Sequence, residues 1–153
     1  LIDVARKALP SGHFQVWDLN RYGGKFPAGG PFDFSVIHGG LHYLSYDVAR
    51  EVVREALRVT RNRLFIGEIP DLLRKKESEA IREASLGKNA YKERYGSLKH
   101  TYFARDFFDS ISAEPEFSSN WMVQIYPKSL LDTAQRDTRF AVMFSRRNPT
   151  LRS

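Results

Sequence analysis

Four histidines, no cysteine and a few acids at strand-like ends make up the chemical inventory of this chain. His38 and His42 flank Gly39, Gly40 and Leu41, directly after an apolar run. An imidazole titrates near neutrality, so both are candidates for a general base. His38 ends the run and is the stronger candidate; His42 also suits a packed, structural role in a turn. Gly39-Gly40 either turns the chain or lets a ligand approach bare backbone. Asp18 closes a second apolar stretch, where the turn chemistry of Asp18-Leu19-Asn20 competes with a ligand-accepting role. Asp71, after Pro70, is placed to cap a helix. Without cysteine there is no disulfide scaffold, thiolate zinc site or cysteine nucleophile. His13, His38, His42 and His100 show no paired ligand spacing on a helix, so no metal site is expected.

The elements that must position these residues follow from periodicity. Ile2, Ala5 and Leu9 fall at helical spacing, and Pro10-Ser11-Gly12 stops that helix. His13 to Asp18 alternates with period two and predicts a strand. The glycine- and proline-rich stretch Asn20 to Pro31 predicts a loop. Phe32 to Ile37 is an apolar run suited to a strand covered on both faces. Asp47 to Thr60 predicts a helix, with Val48, Val52, Val53, Ala56 and Leu57 on one stripe and Ser45 or Asp47 as cap. Arg63 to Glu68 predicts a buried strand closed by Pro70. Asp71 to Leu86 predicts a helix with Leu72, Leu73, Ala80, Ile81 and Ala84 on one side, and Ala104 to Ile111 a shorter one. Trp121 to Tyr126 and Arg139 to Phe144 predict two last strands, too close for an intervening helix and so an antiparallel pair. The alternation is that of an α/β fold with a parallel sheet.

The stretch Phe32-Asp33-Phe34-Ser35-Val36-Ile37-His38-Gly39-Gly40-Leu41-His42-Tyr43 resembles the fourth strand and following turn of class I S-adenosylmethionine-dependent methyltransferases. There an "FD-V" strand precedes a Leu-His-aromatic turn. The helix and strand that follow look like that family's next helix and fifth strand, and the last two strands like its terminal hairpin. His13 to Asp18 looks like its third strand. The resemblance runs from about residue 13 to 146. It implies a Rossmann-like methyltransferase sheet, mostly parallel with a terminal antiparallel hairpin, whose N-terminal strands are missing. The family's sheet order is third, second, first, fourth, fifth, seventh, sixth. Its first strand ends in a Gly-rich turn that holds the cofactor, and its second in an acid that binds ribose; this sequence has neither. Gly23-Gly24 and Gly29-Gly30 lack a preceding strand. Starting at Leu1 rather than Met, the sequence is expected to be part of a longer polypeptide, lacking ~60–100 residues. Those residues, or a partner chain, are expected to cover sheet edges that otherwise stay unpaired.

The resemblance also implies roles. S-adenosylmethionine is the implied cofactor, with Gly39, Gly40 and His38 beside its sulfonium. Asp18 would accept from the adenine amino group, and Leu19 would pack on the ring. His38 and His42 are the implied catalytic bases. Glu68 and Asp71 would face the acceptor, with His100, Tyr102 and Tyr91 on its cover; helix capping and surface packing are the alternatives for these. No Asn/Asp-Pro-Pro-aromatic motif follows the Phe32 strand, which disfavours methylation of base amines. A small-molecule or glycan-type acceptor methylated at oxygen is the expectation, with no turnover expected from this chain alone. The alternative is a non-catalytic module of the same fold in a larger, RNA-containing assembly.

The net charge of +6 raises nucleic acid as a partner, yet the basic residues of 74–105 are interspersed with Glu77, Glu79, Glu83 and Glu93. A solvated face is the preferred reading, so nucleic acid is not favoured. With 153 residues, 42% of them hydrophobic, the chain suits one domain, 1–153, and is not disordered. No apolar run approaches the ~20 residues of a membrane span. No membrane association is expected, and the cytoplasm is the expected compartment.

Overall fold

A computed structural model describes residues 2–96 and 100–148 of the chain. Its elements are α1 (Ile2–Ala8), β1 (Phe32–His38), α2 (Tyr46–Val59), β2 (Thr60–Pro70), α3 (Lys75–Leu86), α4 (Lys88–Tyr95), α5 (Asp106–Ser112), β3 (Trp121–Tyr126) and β4 (Arg139–Arg146). The four strands form one sheet in the order β1-β2-β4-β3. β1 and β2 run parallel, with Val36 opposite Phe65 and His38 opposite Gly67. β4 runs antiparallel to β2 and to β3, so the chain closes on the antiparallel pair that its spacing predicts.

α2 connects the parallel strands. Ser45 caps it, its hydroxyl accepting from the Val48 amide at 3.4 Å. Ala49, Val52, Val53, Ala56 and Leu57 line its buried face. The helix passes into β2 with no loop, and the Thr60 hydroxyl donates to the Ala56 carbonyl at 2.5 Å. That face meets Leu64 and Ile66 of β2, Phe140, Val142 and Phe144 of β4, and Phe107, Phe108 and Ile111 of α5 in one core. β2 is one of the two interior strands, which accounts for its longer, more continuous apolar run.

Three expectations are corrected. His13 to Asp18 is not a strand. No described strand runs beside it, and without a ladder partner alternation alone cannot hold extended backbone. Instead Trp17 stacks on Tyr22, with ring centroids 4.2 Å apart, and donates to the Lys25 carbonyl. β1 is not covered on both faces: it is an edge strand, and Phe32, Phe34 and Val36 are 52%, 65% and 67% exposed. The third concerns α3. Its buried residues are Ser78 and Arg82, while Leu72 and Leu73, in a 3₁₀ turn before it, are exposed and Ala80 and Ala84 face outward. A polar interior with its own hydrogen bonds, described below, takes the place of the apolar contact that the spacing implied. α4, a separate helix after Gly87, also carries no apolar stripe from which it could be foreseen.

Candidate active site

β1 ends at the open mouth of the parallel pair. Gly39 turns the chain there at φ 65°, a left-handed conformation that favours glycine, and its amide donates to the Gly67 carbonyl at 3.3 Å. A Cβ on Gly39 or Gly40 would meet no heavy atom within 4 Å, so the turn presents bare backbone to open space. His38 is exposed and lines a cavity of about 140 Å³ with Phe65, Gly67, Glu68, Leu130 and Leu131. The missing side chain at Gly67 makes room for it: a Cβ there would lie 3.0 Å from His38 Nδ1. The expected base therefore sits at a cleft beyond the carboxyl end of a parallel strand, where open α/β sheets hold their ligands.

Glu68 shares that cleft through an irregularity of β2. The β2–β4 register slips between Ile66 and Ile69, and Glu68 has φ 60° although it is not glycine. A bulge of this kind re-aims a side chain at the end of a ladder. The carboxylate is buried, accepts from the Ser129 hydroxyl, and pairs with Arg139 Nη1 at 3.1 Å. Arg139, at the start of β4, is thus the counter-charge of Glu68. Asp71 lines neither the His38 cavity nor the larger one described below. It is 2% exposed, its Oδ1 accepting from the Leu73 amide and its Oδ2 from Arg105 at 2.8 Å, so the capping alternative describes it.

His42 lies one short 3₁₀ turn beyond Gly40 and is buried at 5% exposure. Burial, reinforced by His100, Arg139 and Arg82, lowers its pKa to about 4. A ring so disposed stays neutral and is a weak base, and its burial fits the packed, structural role for His42. The segment carrying His100 and Tyr102 is fastened beside it: the Thr101 amide donates to the His42 carbonyl at 2.9 Å, and the Thr101 hydroxyl to the Leu44 carbonyl at 2.6 Å. The His42 and His100 rings meet edge to face at 4.9 Å. Arg82 Nη1 lies 2.7 Å from His100 Nδ1. An arginine only donates, so that nitrogen accepts and the His100 proton resides on Nε2. Burial, then Arg82 and Arg139, lowers the His100 pKa. His100 and Tyr102 line a larger cavity of about 420 Å³ with Lys75, Glu79, Arg82, Tyr91, Tyr95 and Gly96.

Asp18 and Leu19 are not brought to either cavity. Asp18 Oδ1 accepts from the amides of Asn20 and Arg21 at 3.0 and 3.2 Å, which is the turn alternative, and Leu19 packs against the core. Sequence reasoning named Glu68 but missed Arg82, Lys75 and the two residues that hold Glu68, Arg139 and Ser129. A readable signal existed for Arg82: Ser78 and Arg82 stand four apart in one helix, where side chains meet.

No family model matches the chain, and no curated protein matches it in sequence. Solved structures do. Magnesium protoporphyrin IX methyltransferase (ChlM) from Synechocystis PCC 6803, with bound SAH, superposes with a TM-score of 0.56 at 13% identity, over 95% of this chain and 57% of that enzyme. The chain has the class I S-adenosylmethionine-dependent methyltransferase fold. It spans little more than half the length of that structure. The order β1-β2-β4-β3 then reads as the fold's fourth, fifth, seventh and sixth strands. Small RNA methyltransferase HEN1 aligns more loosely, with a TM-score of 0.46 at 12% identity over 78% of this chain and 14% of that one. Among the described residues, no helix is long and apolar enough to cross a membrane.

Proposed function

We propose that this chain forms the acceptor side of an S-adenosylmethionine-dependent methyltransferase site, acting on a small-molecule or glycan-type acceptor at oxygen. One observation carries the reading: the bare Gly39-Gly40 turn and His38 stand together at the carboxyl end of β1, on a sheet of methyltransferase order. The residues present fit one side of such a cofactor, since a Cβ-free turn opens on empty space. The Gly-rich strand-to-helix turn and the ribose-binding acid are not in this sequence. When bound, the cofactor would supply an electrophilic methyl group on sulfur. His38 would then take the acceptor's hydroxyl proton at Nε2, the ring nitrogen turned from Gly67. Gly39 and Gly40 would admit the reacting groups without steric cost, and Leu130 and Leu131 would give the cleft an apolar side. Glu68, held by Arg139 and Ser129, fixes the cleft floor rather than moving a proton.

Titrating the isotope-labelled 153-residue chain with SAH tests this. Saturable shifts at the Gly39 and Gly40 amides are expected. Their absence at millimolar SAH would remove the proposal. The non-catalytic alternative draws on the missing Gly-rich turn; salt-dependent RNA binding without any SAH response would favour it.

A further inference from the structure

We propose that the cavity around Arg82 binds a ring-bearing carboxylate, which makes the acceptor of the proposed reaction an anionic one. The inference rests on the methyltransferase reading for its meaning, but its observations are separate.

Arg82 is 7% exposed and is the one buried cation among the described residues. The other well-buried arginine, Arg139, has a carboxylate in Glu68, and even the part-exposed Arg54 and Arg105 have Glu114 and Asp71. Arg82 has none within ion-pair distance among the described residues. Its neighbours are neutral acceptors: Ser78 Oγ at 2.9 Å, Tyr102 Oη at 3.2 Å, Gln135 Oε1 at 3.4 Å and His100 Nδ1 at 2.7 Å. A buried charge without a counter-charge is costly, and a bound anion would relieve that cost.

The donor inventory points to a carboxylate. A guanidinium has five N–H groups. Four are accounted for by those neighbours, which leaves one on Nη1. Tyr102 Oη accepts from Arg82, so its own hydrogen is available to donate. Lys75 lies over the Tyr102 ring, its Nζ 5.5 Å from the centroid, on the rim of the same cavity. These donors suit the two oxygens of one carboxylate. Tyr91 and Tyr95 stand 5.4 Å apart and offer flat walls for a ring. Glu79 is the acid of the lining. It disfavours a doubly charged phosphate and can accept from a ring hydroxyl. The cavity adjoins the turn after β1 through the His42–His100 contact.

The test is a titration of the isotope-labelled chain with D-glucuronate and with 4-hydroxybenzoate, against D-glucose and 4-hydroxybenzamide as neutral counterparts. The Arg82 Nε–H and Tyr102 amide signals report occupancy. At least one acid is expected to bind about tenfold or more tightly than its neutral counterpart, and which acid does so separates a sugar from an aromatic acceptor. Arg82→Gln should abolish the preference. Lys75→Ala, on the exposed rim, should weaken the acid about twofold to fivefold and leaves a decisive variant if Arg82→Gln fails to fold. Equal binding of acid and neutral forms, no shift at 10 mM of either acid (roughly the weakest affinity one charge-assisted pair would leave), or an unchanged affinity in Lys75→Ala would overturn the proposal. SAH shifts at Gly39 and Gly40 are read in separate samples, so failure here is distinct from failure of the methyltransferase reading.

Discussion

Gly39 and Gly40 are adjacent and equally open, yet a side chain affects them differently. Gly39 is left-handed at φ 65°, whereas Gly40 sits at φ −110° and ψ −33°, a conformation open to L-residues. Gly39→Ala is therefore expected to cost ~1–2 kcal/mol in denaturant unfolding. Gly40→Val should change stability by less than ~0.5 kcal/mol while abolishing the SAH response, because its side chain fills only the space a ligand would use. If Gly40→Val binds SAH normally, the approach side is wrongly placed. The Glu68–Arg139 pair gives a second residue-scale expectation. Both side chains are largely buried, so removing one strands the other. Arg139→Leu should destabilise the chain by about 3 kcal/mol, and Arg139→Leu with Glu68→Gln should recover part of that loss. A single variant no worse than the double would show that the pair contributes little.

At the scale of elements, legibility tracked burial. α2 carries a complete apolar stripe and a serine cap, and its boundaries in the structure lie within a residue of those predicted. The strands β2, β3 and β4 were readable as elements, since each carries an apolar signal that the core uses, but β2 begins three residues before and ends two after the predicted Arg63 to Glu68. His13 to Asp18 misled because period two states only what a strand needs on its faces, while a strand also needs an edge to pair with. α3 misled because its buried face is polar, and hydropathy spacing cannot see a cavity satisfied by hydrogen bonds. The site was half legible: His38 and the glycine turn follow a strand end, but Glu68 owes its place to a bulge and Arg82 to a fold-level cavity. β1 itself makes a prediction. Phe34 and Val36 project from an edge strand into solvent, which favours association between copies. Val36→Lys is expected to leave the melting temperature within a few degrees and to lower self-association in analytical ultracentrifugation. Unchanged association would mean that this edge is not the sticky one.

Across the whole molecule the polar interior joins stability to pH. His42 and His100 are both held below the ordinary histidine range, primarily by burial, with Arg82 and Arg139 adding repulsion toward a second positive charge. The folded chain thus prefers both rings neutral. The unfolded chain takes up those protons first, near pH 6.5, while folded His42 resists until about pH 4. Within that window the unfolded state binds more protons, so stability falls as pH falls. Carboxylates stay mostly ionised above pH ~5, which isolates the histidine contribution between there and ~6.5. The loss across that interval should be about 1–2 kcal/mol, read as a shift of the urea midpoint. His42→Phe should flatten the slope, since phenylalanine cannot titrate and replaces a buried ring whose Nδ1 has no hydrogen-bond partner among the described residues. Its stability at pH 7 should change little by comparison. A variant with the parent's slope would place the acid sensitivity elsewhere, and the Arg82 cavity would lose its claim to a positive interior that only an added anion can quiet.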